Sequence, residues 1–591
     1  MGKEVTQNTG GCALWTLRCG LAALLIAGCA TEAPKWTPES VAPPATPPAG
    51  AQAAPPIEGR AEPVKVSETG PADEPLVINR DTALLTAVLN NHSAEVARFG
   101  PRIGETLEPE ARAAFDPEVF ASLTYGHDER NMSATAGSSA SNSGTGGSGG
   151  TTDPIQQTIA IVTQIRNIVA AIEGTRQTAV NADTVLGTVG VSQHLPTGAD
   201  LSVSGSAGHA DTTVSEGKGV DGWTVSAAQP LLRGAGTGVN LVALRQARNW
   251  AAQSEHVFRQ RMLDLVEQTE TAYWNLALAQ KLLEIRQFGV KLADEQLKLN
   301  EGLFQAEKII QGDVMASRAE HASRRADLAD AQANLRNQSL AMLQQLNPSA
   351  TNQWNLHFTA TDPVELDQWI LDADTSEQLA LQYRPELALA RLDQANAGLD
   401  VRRARNGVLP RLDLVGSYGS GNTNSLGTLT TSAVTGNSLS DTDSLRVGVQ
   451  FEQPILNRAE NARLRRARLA ERQIACSVSA LEQSLAREVR QAVVTADGLW
   501  QRIQATREAV EARQEQLRVA QGRFEAGKTT NLDLLIVQRD FIQSEVDEAT
   551  ARIRYIQALT ALHASEGTLL ERRGISLELA KQETKDRGND Q

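Results

Sequence analysis

Two periodicities divide the chain. Leu201-Ser-Val-Ser-Gly-Ser, Trp223-Thr-Val-Ser-Ala, Leu412-Asp-Leu-Val-Gly-Ser-Tyr418 and Leu445-Arg-Val-Gly-Val-Gln-Phe451 alternate apolar with small or polar residues, the period of a strand with two unlike faces. The alternation predicts strands near 199–209, 222–229, 411–419 and 444–453, paired antiparallel, with 115–126 a weaker candidate. One apolar face and one of small polar residues suit a β-barrel with a wet lumen. Elsewhere the period is helical. No proline occurs over 231–347 or from Ile455 to the C-terminus, and Leu263, Val266, Trp274 and Ala277, then Leu292, Leu299 and Leu303, keep helical spacing among Glu, Gln, Lys and Arg. A helix from about 240 to 304 would be roughly 100 Å long at ~1.5 Å per residue, against an average of about 11–12 residues in globular proteins. Such a length needs a coiled-coil partner or a wall of several chains.

The two halves repeat one plan. Gln229-Pro230-Leu231-Leu232 follows a strand and opens a long helix, and Gln453-Pro454-Ile455-Leu456 does the same 224 residues later. Gly302-Leu-Phe304-Gln-Ala306 is echoed by Gly522-Arg-Phe524-Glu-Ala526. Each is followed by a turn and an Asp, in Gln311-Gly312-Asp313-Val314 and Asn531-Leu532-Asp533-Leu534. The spacing from Pro to Asp is 83 residues in the first copy and 79 in the second, a difference of about one helical turn that a stutter in the helix would absorb. The unit is strands, Gln-Pro, long helix, tight turn and returning helix, occurring twice.

Composition changes mark the boundaries. Residues 1–28 read as a signal peptide, with Lys3 and Arg18 ahead of the apolar run Leu21-Ala-Ala-Leu-Leu-Ile-Ala27, which is too short to span a bilayer. Residues 29–78 form a Pro- and Ala-rich tether that cannot build a core. The first repeat covers 79–350, with an insertion at about 132–220, and the second covers 351–575. A polar tail follows at 576–591. Within the insertion, 133–152 is soft Ser/Gly sequence, 155–172 is helical in pattern, and 184–209 reads as a hairpin turning at Leu195-Pro-Thr-Gly198. That hairpin is expected to extend the outer end of the strands. Another soft stretch spans 419–444. No later run of 18 apolar residues exists, so any spanning structure must be a closed β-barrel.

Charge and cysteine usage narrow the function. The net charge of −14 argues against nucleic acid, whose phosphates need clustered Lys and Arg. Three of the four cysteines, Cys12, Cys19 and Cys29, precede residue 30. Cys476 is then alone in the body, where a small buried apolar role is expected. The histidines are scattered without metal-site spacing, so no metal and no cofactor is expected. Gly234-Ala-Gly236-Thr-Gly238 opens a helix but lacks the Gly-Lys-Ser/Thr ending of a phosphate cradle, and reads as a strand-to-helix junction. Gly146-Gly-Ser148-Gly-Gly150 lies in linker sequence that offers no strand–turn–helix for a nucleophile elbow. No catalytic residue emerges, and the chain does not read as an enzyme.

Ile26-Ala27-Gly28-Cys29 resembles the bacterial lipobox, which implies lipid on Cys29 as the first mature residue; Ala30 resembles sorting to the outer membrane. The alternative is an ordinary secretory signal with a chance Cys. The body resembles the TolC-like outer-membrane factor (outer membrane efflux protein) family over about residues 80–570. The resemblance rests on Pro230 and Pro454 in the two Gln-Pro junctions and on Phe524-Glu-Ala-Gly527-Lys-Thr-Thr-Asn-Leu-Asp533-Leu-Leu. It rests further on Arg384-Pro385-Glu386-Leu387 followed by Leu409-Pro410-Arg-Leu-Asp-Leu414. Each motif is short, but they occur in order and the unit is duplicated. The resemblance implies a mainly α fold with a β-barrel part: four strands per protomer completing a 12-stranded barrel in a homotrimer, above a long α-helical barrel in the periplasm. It implies a passive outer-membrane channel of a tripartite efflux or type I secretion system, docking a periplasmic adaptor and an inner-membrane pump. The tip turns, with Phe304, Glu307, Gly312, Phe524, Gly527 and Lys528, would meet the adaptor. Asp313 and Asp533 would ring the aperture, a role compatible with plain helix capping. Glu307 stands where the second copy has Gly527, which puts the geometry of the first turn in doubt. The competing reading is a lipid-anchored periplasmic coiled-coil adaptor or scaffold, which leaves the duplicated strand pairs unexplained.

Overall fold

The computed structural model describes residues 76–130, 180–212, 215–347, 354, 356–364, 372–423 and 441–578, all within one compact unit, Thr46–Gln591. The first half runs β1 (Leu76–Ile78), α1 (Arg80–Asn90), α2 (His92–Ala113), β2 (Glu118–Arg130), β3 (Val180–His194), β4 (Asp200–Thr212), β5 (Ser215–Pro230), the single turn α3 (Thr237–Asn240), α4 (Val242–Gln305) and α5 (Gln311–Leu346). The second runs β6 (Phe358–Ala360), α6 (Ala373–Tyr383), α7 (Pro385–Gly407), β7 (Arg411–Thr423), β8 (Asp441–Glu452), α8 (Arg458–Glu525), α9 (Asn531–Ser565) and α10 (Leu569–Arg573). Strands β1 and β6 pair in parallel. The other six form one antiparallel sheet in the order β2-β3-β4-β5-β7-β8.

The expected long helices are present, with 64 residues in α4 and 68 in α8. They are continuous because neither contains proline and Ala, Leu, Gln, Glu and Arg dominate both. Helix α7 opens on Pro385 at its first turn, where the missing N–H costs nothing. The main core gathers about the middle of α4. Phe258, Met262 and Val266 pack on Leu84, Leu85 and Val88 of α1 and on Leu569 and Leu570 of α10. Tyr273, Trp274 and Leu276 meet Ile78, Phe358 and Leu346 beside them. Glu270 is fully buried there and receives both Nε (2.9 Å) and Nη2 (2.6 Å) of Arg573, the paired geometry that makes a buried carboxylate tolerable.

Several expectations are corrected. The sheet carries six strands and not four: the weak candidate at 115–126 is β2, and the hairpin at 184–209 is β3 and β4, wholly inside the sheet. The hairpin does not extend the outer end. Its turn lies at the helix-side end, where Gly236 N–H donates to Thr197 O at 2.9 Å. A Cβ on Gly198 (φ +91°) would come within 2.2 Å of Gly234 O. Full-length pairing with both neighbours holds the hairpin in the wall, since a strand lying elsewhere would leave its backbone groups unpaired.

The four-residue difference between copies is not a stutter. The first junction, Pro230 to Val242, is eight residues longer than Pro454 to Arg458, and α4 is four shorter than α8. The extra length is a loop shaped by Gly234 and Gly236, both at φ +85°, a conformation that costs glycine little. Cys476 is exposed and not buried, because it faces away from Ile474 and Val478, which pack on α7. Leu76–Ile78, read as the end of the tether, is strand with Ile78 in the core. The signal peptide, Cys29, the pattern at 155–172 and residues 579–591 lie outside the described residues.

Candidate functional site

The sheet is a wall with two chemistries. Successive residues of a strand point to opposite sides, so the register decides which side chains share a face. Leu412 stands opposite Phe451, Leu414 opposite Val449 and Tyr418 opposite Leu445. Val225 of β5 continues this row beside Tyr418, and Trp223 meets the Tyr418 ring edge-on at 5.4 Å. Val203, Val191 and Val119 extend the row through β4, β3 and β2. The apolar face is open: Leu445 is 73% and Val119 76% exposed. The opposite face carries the row Glu118, Ser192, Ser202, Ser226, Ser417 and Arg446, with the hydroxyls of Ser202 and Ser226 2.6 Å apart.

Pro230 and Pro454 stand where this wall turns into helix. In both copies the preceding glutamine folds over the proline and donates from Nε2 to its carbonyl, Gln229 at 2.8 Å and Gln453 at 3.3 Å. The motif is repeated because the task is repeated: proline supplies no N–H to the sheet, and the glutamine satisfies the carbonyl. Asn406 clasps the first junction by accepting Gly234 N–H at 2.8 Å, and Asn457 the second by donating to Val408 O at 2.9 Å.

At the other end of the helices the two tip turns share one geometry. Ala306 N–H reaches Gly302 O, Glu307 N–H reaches Phe304 O and Lys308 N–H reaches Leu303 O, at 3.1, 2.9 and 2.9 Å. Ala526, Gly527 and Lys528 repeat these bonds at 3.1, 2.9 and 2.8 Å. Glu307 takes the left-handed conformation (φ 56°) that Gly527 takes (φ 66°). The doubt about the first turn is thus resolved, at a strain of about 1–2 kcal/mol for a residue with a Cβ. The return helices start differently. Thr530 caps α9 in a capping box with Asp533, its hydroxyl 2.6 Å from the carboxylate and accepting Asp533 N–H at 3.2 Å. These bonds from Thr530, followed by that from the Thr529 hydroxyl, hold the exposed Asp533 carboxyl below the usual carboxylate range. Helix α5 starts at Ile310 without a side-chain cap; Gly312 and the half-buried Asp313 lie in its first turn.

A buried polar cluster joins the two turns. Asn531 accepts from Asn300 Nδ2 at 2.8 Å and from Gln296 Nε2 at 3.2 Å, and donates to Ser317 Oγ and to Asp313 O, both at 3.1 Å. Asp313 and Asp533 are therefore brought to one tip. Sequence reasoning missed this cluster because single polar residues in a polar helix carry no periodic signal. Phe524 packs toward Leu534 and Phe541, whereas Phe304, Ile310, Met315 and Leu532 remain exposed.

Residues 377–568, from α6 to α9, match the model of the outer membrane efflux protein family. Over these residues the chain is similar to that family. The protease secretion protein PrtF of Dickeya chrysanthemi is 26% identical over 333 residues, 53% of this chain and 66% of that protein. The outer membrane protein TolC of Escherichia coli (strain K12) is 25% identical over 322 residues, 53% of this chain and 63% of its own length. The matches thus span just under two thirds of these relatives. Among solved structures, the Campylobacter jejuni CmeC outer membrane channel superposes with a TM-score of 0.57 over 85% of this chain and 90% of CmeC, at 14% identity. The fold is thus shared with that channel over 85% of this chain. No described helix is long and apolar enough to cross a membrane, and no group of three metal-ligating side chains occurs among the described residues.

Proposed function

We propose that three copies of this chain form the outer-membrane channel of a tripartite efflux or type I secretion system, a passive conduit from periplasm to outside that needs no cofactor. The sheet carries the reading: an apolar row runs unbroken across one face from Val119 to Leu445, and the opposite face carries Ser, Thr and Gly with Glu118 and Arg446 at its two edges, as a barrel between lipid and water requires. Its edges, β2 and β8, must find partners in lipid, and other copies supply them. Helices α4, α5, α8 and α9 continue the conduit through the periplasm. Cys29 carries lipid and adds an anchor to the outer membrane. A periplasmic adaptor linked to an inner-membrane pump docks at the tip, where Phe304, Glu307, Gly312, Phe524, Gly527 and Lys528 form or flank the turns. Asp313 and Asp533, three of each, ring the opening and draw cations; capping Thr530 does not remove the charge of Asp533.

Membrane extraction and conductance test this. Enzymatic removal of the lipid should leave the protein detergent-requiring, and purified protein should open channels in planar bilayers. Release into buffer without detergent would instead favour the anchored adaptor. Mass spectrometry should find diacylglyceryl-modified Cys29 at the mature N-terminus. Asp313→Ala with Asp533→Ala should lower cation selectivity and divalent block; unchanged selectivity would leave both residues as helix-end groups only.

A further inference from the structure

We infer that the β3–β4 hairpin is a structural part of the membrane wall, so that three copies close a barrel of eighteen strands whose outer mouth is wider than a barrel built from four strands per copy. This rests on the channel reading above and deepens it.

Three observations carry it. First, the hairpin separates strands that would otherwise be neighbours. Strand β3 pairs with β2 along all thirteen residues from Glu118 to Arg130, and β4 pairs with β5 from Asp200 to Thr212 with one irregularity. In the sheet order, β2 meets β5 only through the hairpin. Removing the hairpin from the wall would break both ladders.

Second, the hairpin obeys the wall's two-faced chemistry. Val185, Val189 and Val191 of β3 and Leu201 and Val203 of β4 fall on the apolar face, and Thr188, Ser192, Ser202 and Ser204 on the polar one. A hairpin standing above the membrane would gain nothing from keeping an apolar row in register with Trp223, Tyr418 and Leu445 across five strands.

Third, the hairpin spans the full height. Its turn docks under the Gly234–Gly236 junction loop, and its strands of 15 and 13 residues match the 13 and 16 of β2 and β5. Adding two strands to an antiparallel meander also preserves alternation, so closure by β8 of one copy on β2 of the next remains antiparallel.

Barrel diameter grows roughly linearly with strand number, so eighteen strands give a mouth about half again as wide as twelve. The limit on passenger size then lies at the helical tip and not in the membrane.

Electron cryo-microscopy of the full-length protein in detergent tests this. Eighteen strands around a three-fold axis are expected. A twelve-stranded ring with the hairpin outside would overturn the inference while leaving the channel reading intact. Particles without a ring would overturn the channel reading, and the inference with it. An independent test uses Ser202→Cys with Ser226→Cys in a Cys476→Ser background. A β4–β5 disulfide should form in native membranes and abolish maleimide labelling of both thiols; full labelling would overturn the placement. Deleting residues 180–214 should reduce the radius of the largest polyethylene glycol that enters from the barrel side by about a third, with no change from the helical side. An unchanged barrel-side limit in an inserted deletion protein would overturn the wider mouth.

Discussion

Helices α4 and α8 hold the same place in the two halves and differ by four residues in length, yet 23 residues of α4 are buried against seven of α8. Among the described residues the first packs chiefly on α1, α2, α5, α7, α9 and α10, and the second chiefly on α6, α7 and α9. On α8 the outward positions keep Leu469, Val494 and Val519 in the open. The two helices thus do two jobs: one is the spine of the chain, while the other presents a long open face. Such a helix is stable only when something covers it, and in the channel reading another copy does.

The largest effect should come from testing that asymmetry. Leu276→Ala in α4 removes a fully buried side chain and should cost about 2–5 kcal/mol, read from denaturant unfolding in detergent. Val494→Ala on α8, 71% exposed in the protomer, should change protomer unfolding by no more than about 0.5 kcal/mol. Val494→Glu should lower the trimer fraction in size-exclusion chromatography. Equal losses for Leu276→Ala and Val494→Ala would erase the distinction between spine and open face.

The tip offers finer comparisons. Asn531→Ala removes the shared partner of Asn300, Gln296 and Ser317, which keep only their bonds to one another, and should destabilise the tip by about 1–3 kcal/mol. Hydrogen exchange of amides in both turns would show it, because the cluster links them; protection lost on α9 alone would deny the link. Next come the turn residues. Glu307→Gly should stabilise by about 1 kcal/mol by removing strain at φ 56°. Gly527→Ala should cost a similar amount, with no steric clash to add, since nothing lies within 4 Å of the new Cβ.

Capping differs between copies in the opposite sense. Thr530→Ala should cost α9 about 1 kcal/mol. Ile310→Thr places threonine three residues before Asp313, the spacing of Thr530 and Asp533, and should slow exchange at the start of α5. The smallest effect is the pH dependence. The ionised Asp533 accepts the Thr530 and Thr529 hydrogen bonds, and its folded pKa is lowered. Its contribution is therefore complete above the ordinary carboxylate range and lost as pH falls through the lowered value. Exchange over 531–534 should accelerate in that acid window and become flat in Asp533→Asn. The same acid loss at 313–316 would assign it to something other than the capping box.

Much of this was legible in the chain. The duplication, both long helices, the Gln-Pro junctions and the two tip turns stand in local pattern, because helical period, proline and turn chemistry act within a few residues. Strands β4, β5, β7 and β8 were visible for the same reason, since Val, Leu, Trp and Tyr mark one face. Strand β3 belongs to the sheet through thirteen backbone pairings to each neighbour, and nothing in Thr184-Val-Leu-Gly-Thr-Val-Gly190 says whether its partners lie in the wall or above it. The left-handed Glu307 follows from the turn's hydrogen bonds overriding its own preference. The polar cluster about Asn531 exists only because three helices converge there. The sequence by itself determined the long helices, the turns that end them and which face of the strands is apolar. Only the tertiary structure decided which elements are neighbours: pairing partners, buried polar contacts and uncovered faces depend on residues up to hundreds of positions apart.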